Sequence, residues 1–116
     1  MSTTRLQKFD EVKTLIEAFC AREDVDLPCA YYEFDEDEYL LDKYLVWWDD
    51  ETLNVLADNE VYASVQKYKI ALHIGSVDKD LEYALEDYLN SNGYIWEKDP
   101  PTYVSSEQMY EIVYSF

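Results

Sequence analysis

The stretch Tyr68-Lys69-Ile70-Ala71-Leu72-His73-Ile74 shows the clearest pattern in the chain. Its large apolar residues stand at every second position, with lysines, an alanine and a histidine between them. Because successive side chains of a β-strand point to opposite faces of the sheet, this alternation predicts a strand with one apolar and one more polar face. We expect the strand to lie centrally in a sheet.

A helix is predicted directly after this strand. Gly75-Ser76 interrupts the alternation, and the carboxylate of Asp78 can cap a helix N-terminus. Asp80 and Glu82 suit the positive end of the helix dipole, and Asn92-Gly93 supplies a left-handed stop. Between these signals runs a narrow apolar stripe: Leu81, Ala84, Leu85, Tyr88 and Leu89.

The first half of the chain also contains a helix and strands. Apolar residues at helical spacing predict a first helix from Arg5 to Arg22. Cys29 to Phe34 is typical of a short strand rich in tyrosine, and Tyr44 to Trp48 has strand propensity without clean alternation. Asp49 to Glu51 suits a turn, and Asn54 to Tyr62 predicts a hairpin or extended excursion with a polar tip.

The C-terminal part predicts closing strands. Tyr94 to Glu97 favours a strand, Pro100-Pro101 interrupts it, and Tyr110 to Phe116 alternates again. The predicted fold is therefore α+β, one domain spanning residues 1–116. Two helices pack on one mostly antiparallel sheet, in the order helix, three strands, helix, and one or two strands.

Composition excludes several classes of function. The chain has 26 acidic residues against 9 lysines and arginines, a formal net charge of -17, which repels nucleic-acid phosphates and anionic membrane surfaces. Its apolar runs are far shorter than the roughly 20 residues that cross a bilayer. Residues 1–4 lead into a charged segment without the features of a secretory signal, so we expect a cytoplasmic protein without membrane contact.

The residues that could carry chemistry do not form a catalytic pattern. His73 is the single histidine, and on a strand face with lysines we interpret it as a surface or interface residue. Cys20 and Cys29 are interpreted as reduced cysteines packed as small apolar side chains. The two glycines cannot build a phosphate loop. We therefore predict no enzyme, no metal and no cofactor.

One acidic segment, residues 35–42, is predicted to be a solvated loop whose role stays open. Its run Asp35-Glu36-Asp37-Glu38 superficially resembles a calcium loop. Leu40, however, stands where the usual twelve-residue loop requires glycine.

The aromatic residues are more informative. Twelve tyrosines and three tryptophans either fill a thin core or form protein interfaces, where such side chains are favoured. Leu45 to Trp48 places large apolar residues on both faces of its strand, and one face would be exposed unless something covers it. We take Trp47, Trp48, Tyr62 and Tyr110 as candidate interface anchors.

Several residue strings stand in a characteristic order and spacing: Leu56 to Tyr62, Tyr68 to Leu72, Asp80 through Glu86 to Gly93, and Tyr103 through Ser106-Glu107-Gln108-Met109-Tyr110 to Tyr114. Together they cover roughly the C-terminal two thirds of the chain. In this order and spacing the strings resemble the small head-proximal tail proteins of siphophages, the tail-terminator or tail-to-head joining (neck) family.

The resemblance implies a homo-hexameric ring that binds the last ring of tail-tube protein, ends tail elongation and offers a surface to head-completion or connector proteins. It implies no cofactor. Such a protein would be a virion component of the tail or neck, assembled in host cytoplasm, and genome DNA would pass its negatively lined lumen without specific binding.

A different class of function stays open beside this one. The charge of -17 on a small domain also fits an acidic inhibitor that imitates DNA and blocks a host nuclease or restriction system. Such a mimic needs carboxylates spaced like phosphates on one surface, whereas the acids here are interleaved with structural positions on both predicted helices. An enzyme of a type without a sequence signature is the third possibility.

Overall fold

A computed structural model of the chain describes residues 4–6, 9–32, 43–57, 60–106 and 108–116, with side chains for 9–32, 43–54, 64–106 and 108–116. The described residues form two helices and seven strands. In chain order these are β1 (Thr4–Leu6), α1 (Phe9–Cys20), β2 (Cys29–Tyr31), β3 (Lys43–Ala57), β4 (Glu60–Ile74), α2 (Lys79–Ser91), β5 (Glu97–Lys98), β6 (Thr102–Val104) and β7 (Met109–Ser115).

All seven strands belong to one sheet with the order β2-β3-β4-β7-β5. In addition, β1 pairs with β4 and β6 pairs with β7. The β1–β4 and β2–β3 pairs are parallel and the others are antiparallel. The predicted α+β fold, with two helices on a mostly antiparallel sheet, is confirmed.

The central position of the Tyr68 to Ile74 strand is also confirmed. This part of β4 pairs with β3 on one side, where Leu72 faces Leu45, and with β7 on the other, where Leu72 faces Ile112. Its even-numbered apolar residues point to the face that both helices cover, and all four are buried: Tyr68, Ile70, Leu72 and Ile74.

Both helices contribute an apolar stripe to the same core. Val12, Ile16 and Phe19 of α1 meet Leu85 and Leu89 of α2 over that face of the sheet. The second helix follows its sequence signals closely. The carboxylate of Asp78 accepts a hydrogen bond from the Leu81 N–H at 3.1 Å, and Gly93 has a φ of +81° after the helix end.

Strands β3 and β4 form a hairpin that is longer than predicted. The predicted turn at Asp49 to Glu51 is wrong, because β3 continues through it. The pairing with β4 shifts register between Asp49 and Thr52, so polar residues typical of turns sit in a strand irregularity instead. The hairpin predicted for Asn54 to Tyr62 is confirmed, with tip residues 58–59 outside the described part.

The N-terminus differs from the prediction. The first helix begins at Phe9 and not at Arg5, and Thr4–Leu6 forms a parallel strand beside Ala63, Ser64 and Val65 of β4. At this level β7 no longer pairs with β4, whose β7 partners begin at Lys69. The edge of β4 that β7 leaves unpaired at this level provides hydrogen-bond partners for the backbone of Thr4–Leu6. The sequence of residues 4–6 does not by itself indicate this pairing.

The remaining strand bounds differ in detail. Cys29 to Phe34 was predicted as a strand, and the structure ends β2 at Tyr31, with residues 33–42 outside the described part. The strand predicted at Tyr94 to Glu97 is reduced to β5, and β6 was not predicted. The final strand is confirmed as β7.

Candidate functional site

The strand Tyr44 to Trp48 has both faces covered inside the chain. On the helix-covered face, Leu45 and Trp47 are 0% and 1% exposed. On the opposite face, Tyr44 and Val46 are buried in a small second cluster with Met109. The apolar character of both faces is therefore used within one subunit, and it does not by itself require a partner.

The four candidate anchors lie in different environments. Trp47 is a core residue, so its surface is already used within this chain. Trp48 is half-buried against the second cluster, and Tyr110 is half-buried with its ring centroid 5.2 Å from that of the exposed Tyr103. Tyr62 lies in β4, and its side chain is outside the described part. The described side chains of Trp47, Trp48 and Tyr110 do not form one site.

His73 is not a surface residue, which corrects the interpretation from sequence. Its ring is stacked on Tyr44, with centroids 4.5 Å apart and planes 9° apart, and its Nε2 lies 3.4 Å from Oε2 of Glu111. The lysines that share its strand had suggested an open face. Tyr44 covers it, because β3 places that ring directly across the strand pair.

The two cysteines are free thiols at adjacent element ends. Cys20 closes α1 and is buried, and Cys29 opens β2 and is half-buried. A hydrogen bond with the Cys29 thiol, followed by burial, raises the pKa of Cys20. The same interaction lowers the pKa of Cys29. Their packing agrees with the prediction of reduced cysteines.

A buried ion network joins α2 to the β5 edge of the sheet. The Lys98 ammonium donates to Glu82 at 2.8 Å and to Glu86 at 3.1 Å. The Tyr114 hydroxyl donates to Glu86 at 2.8 Å, and Lys79 lies 3.5 Å from Glu82. The Glu82 side chain is only 1% exposed, whereas the sequence indicates only that this carboxylate suits the positive end of the helix dipole.

Burial and hydrogen bonds shift the pKa values in this network. Burial opposes the charge on Lys98, but its hydrogen bonds to Glu82 and Glu86 outweigh burial and raise its pKa. Burial and then the hydrogen bond to Glu86 raise the pKa of Tyr114. The only sequence signal was the spacing of Glu82 and Glu86, four residues apart on one side of the leucine stripe. Nothing in the sequence indicated Lys98 as their partner.

The opposite edge of the sheet carries exposed aromatic side chains. Phe9, Tyr31 and Tyr32 are 38%, 40% and 58% exposed. The rings of Phe9 and Tyr31 lie against buried Trp47, and the Tyr32 ring packs on Tyr31. The Tyr31 hydroxyl donates a hydrogen bond to the Asp49 carboxylate. We call Phe9, Tyr31 and Tyr32 the aromatic edge. The number of aromatic residues in the sequence does not distinguish these three from the others.

The described residues offer no other chemical centre. They contain no group of three or more His, Cys, Asp or Glu side chains arranged to hold a metal ion. Of the helices in the described ranges, none is long and apolar enough to cross a membrane. The cleft between the helices and the sheet is lined by apolar residues such as Phe19, Leu45 and Leu89, and it has no room for a water molecule.

Comparison of the chain with protein-family models, with curated proteins and with solved structures gives no match. The functional argument therefore depends on the residues and geometry of this chain.

Proposed function

We propose that the protein is a non-catalytic assembly subunit of the tail-terminator type. Six copies would close a ring on the last ring of tail-tube protein, end tail elongation and present a joining surface to head-completion or connector proteins. Support comes from the sequence resemblance and from the shape and exterior of the subunit.

The β3–β4 hairpin is the observation that carries this proposal. Each strand has 15 residues, about 50 Å at 3.3 Å per residue, and the longest dimension of the molecule is 50 Å. The inner half of the hairpin is in the core, whereas Asp50 to Asn54 is exposed. We call Asp50–Ala57 with Glu60–Gln66 the ribbon.

Of the ribbon's described side chains, Asp50 to Asn54 are exposed, whereas Ser64 is buried and Val65 and Gln66 are half-buried. These side chains hold the ribbon by hydrogen bonds across the strands, from Ser64 to Asn54 and from Thr52 to Gln66, each at 2.8 Å. Two-stranded ribbons are marginally stable in water, and β1 adds support along only three residues. A neighbouring subunit that packs on Asp50 to Asn54 would add burial that these residues do not have within the described chain.

The exterior also supports self-association. Eight large hydrophobic or aromatic residues of the described part are exposed, among them Leu53 on the ribbon at 46%. Exposed residues of this kind contribute to protein interfaces when a partner covers them. We place the contact between copies at Leu53; the remaining seven lie outside the ribbon and are Phe9, Tyr31, Tyr32, Val77, Tyr83, Ile95 and Tyr103.

Charge sets the conditions for assembly. A subunit with a net charge of -17 repels its copies, so ring closure must come from apolar and hydrogen-bonded contacts and should improve with salt. A negatively lined channel would let genome DNA pass without phosphate contacts. In this proposal the protein needs no cofactor, and its place is the tail or neck of the virion after assembly in host cytoplasm.

The mass of the purified protein tests the proposal. Light scattering at moderate salt should give about 83 kDa for six copies of 13.8 kDa, and negative-stain images should show rings. Leu53→Asp should abolish the rings because it adds a charge on the ribbon. Val77→Asp, at a residue 64% exposed outside the ribbon, is the matched control and should leave them intact.

A strict monomer that also fails to bind tail tubes would contradict the proposal. If that monomer instead captured a nuclease or restriction subunit and duplex DNA displaced it, the DNA-mimic alternative would be favoured. The network reduces the acids available to such a mimic, because Glu82 is buried and Glu86 is half-buried.

Substitution of Trp48 tests whether the sheet face opposite the helices is also part of the interface between copies. Trp48→Ala should abolish rings while the monomer stays folded, since truncating an aromatic anchor at an interface costs about 2 kcal/mol or more. Circular dichroism would check the fold and light scattering the mass. Intact rings would remove Trp48 from the interface.

A further inference from the structure

The three rings of the aromatic edge lie outside the hydrophobic core and are partly exposed to water. Phe9 and Tyr31 pack edge to face at 5.2 Å, and Tyr31 and Tyr32 do so at 4.7 Å. Trp47 beneath them is already sealed from water. The three rings therefore keep a large exposed area after their packing within the chain is complete.

Tyr32 shows this most clearly. Its φ is +70°, in the left-handed region that a bulky side chain rarely adopts, and its N–H donates to the Trp47 carbonyl at 2.9 Å. Such a backbone costs free energy and persists where surrounding structure holds it. Here it fixes an aromatic ring that is 58% exposed.

Strand β2 lies at one edge of the sheet that the described residues form. It stands at the end of the strand order, and in the described chain it pairs with β3 alone. The Pro28 carbonyl and the Tyr32 N–H both bond to β3, so by the alternation of a parallel pair the N–H and C=O groups of Cys29 and Tyr31 point away from β3. An extended peptide could pair with them as an added strand.

The charge of the surroundings selects the chemistry of such a peptide. Asp49 accepts from the Tyr31 hydroxyl, exposed Asp10 follows Phe9, and the chain as a whole carries -17. Aromatic faces and carboxylates both attract cations, and a planar guanidinium stacks on rings better than an ammonium does. An acidic segment would be repelled from the same edge.

We infer that the aromatic edge is a docking surface for an extended, arginine-bearing segment of a basic partner protein, which pairs with β2 and stacks its guanidinium groups on Tyr32 and Phe9. This surface is separate from the ribbon and does not depend on ring formation.

A peptide titration tests the inference. The probe is a fluorescein-labelled nonapeptide of alternating arginine and threonine, with lysine–threonine and glutamate–threonine peptides of the same length, followed by fluorescence anisotropy at 150 mM NaCl. The arginine peptide should bind most tightly, the lysine peptide more weakly, and the glutamate peptide should not bind.

Variants separate the aromatic edge from general charge attraction. Tyr32→Asn keeps a residue that tolerates the left-handed backbone and removes the ring. Together with Phe9→Gln it should weaken arginine-peptide binding roughly fivefold to twentyfold. Tyr83→Gln removes a comparably exposed ring on α2 and should leave binding unchanged. If Phe9→Gln proves unfolded by circular dichroism, Tyr32→Asn alone should still weaken binding severalfold.

Equal binding of the arginine and lysine peptides, unaffected by Tyr32→Asn, would overturn the inference and leave only non-specific charge attraction. A wild-type dimer or ring that Tyr32→Asn dissolves in the absence of peptide would also overturn it, because the occupant of the edge would then be a second copy of this chain.

Discussion

The two edges of the sheet differ in which side chains they bury and which they expose. At the β5 edge, the charged side chains are buried or half-buried and bonded to one another. Lys98 donates to Glu82 and Glu86, and the Tyr114 hydroxyl donates to Glu86. At the β2 edge, aromatic rings remain outside, with Tyr32 in a strained backbone. The β5 edge is closed by its own side chains, so partner surfaces are better sought at the β2 edge and on the ribbon.

The largest effect should come from opening the closed edge. Lys98→Met keeps the length of the side chain but removes the ammonium that donates to Glu82 and Glu86. Lys79 still lies 3.5 Å from Glu82, so we expect the loss of the charged hydrogen bonds to lower the free energy of unfolding by about 2–3 kcal/mol, measured by urea denaturation.

Two variants make this result specific. Lys13→Met, at an exposed position of α1, should change the free energy of unfolding by no more than about 0.5 kcal/mol. Adding Glu82→Met to Lys98→Met should recover part of the loss, because the buried carboxylate is then removed and only the half-buried Glu86, still bonded to Tyr114, has lost its cation. A loss for Lys98→Met no larger than for Lys13→Met would mean that the edge is open to water.

Alkaline pH should also weaken the closed edge. Burial and the bond to Glu86 raise the pKa of Tyr114 above its ordinary 10.0, so the folded protein holds this proton more tightly than the unfolded chain. The contribution is complete below pH 10 and is lost as pH rises above it. The raised pKa of Lys98 acts in the same direction above pH 10.5.

Tyr114→Phe isolates the phenol. It should cost about 1 kcal/mol at pH 7, since one internal hydrogen bond is lost, and it should flatten the decline in stability between pH 10 and 12. Urea denaturation at several pH values would measure both. Tyr83→Phe is the control at an exposed ring, and a decline equally steep in Tyr114→Phe and wild type would show that Tyr114 does not cause it.

Sequence reasoning succeeded where a pattern is local. The alternation of Tyr68 to Ile74 and the cap at Asp78 are set by neighbours within a few residues, and both the strand and the helix appear as predicted. The α+β fold follows from such elements. Local signals also predict where β3 ends, at Ala57, and where β4 begins, at Glu60.

Sequence reasoning failed where the conformation of a segment depends on a partner far away in the sequence. Thr4–Leu6 becomes a strand because β4 has a free edge there, and Asp49 to Glu51 stays extended because Tyr68 and Gln66 hold it in the sheet. The aromatic edge and the ion network likewise join residues far apart in sequence, such as Glu82 and Lys98. No periodicity within a single element indicates these partners.

The smallest expected effect is at the open edge. Tyr31→Phe removes the hydroxyl that donates to Asp49, but the side chain is 40% exposed and water can replace the bond. The loss at pH 7 should stay within about 0.5 kcal/mol by urea denaturation.

The bond to Asp49 raises the pKa of Tyr31 to about 12, so its contribution is complete below pH 10 and disappears as pH rises toward 12. Phenolate absorbance of wild type minus Tyr31→Phe should therefore show one tyrosine titrating near pH 12. If the variant instead lost as much stability as Lys98→Met, the β2 edge would be as closed as the β5 edge and the contrast between them would not hold.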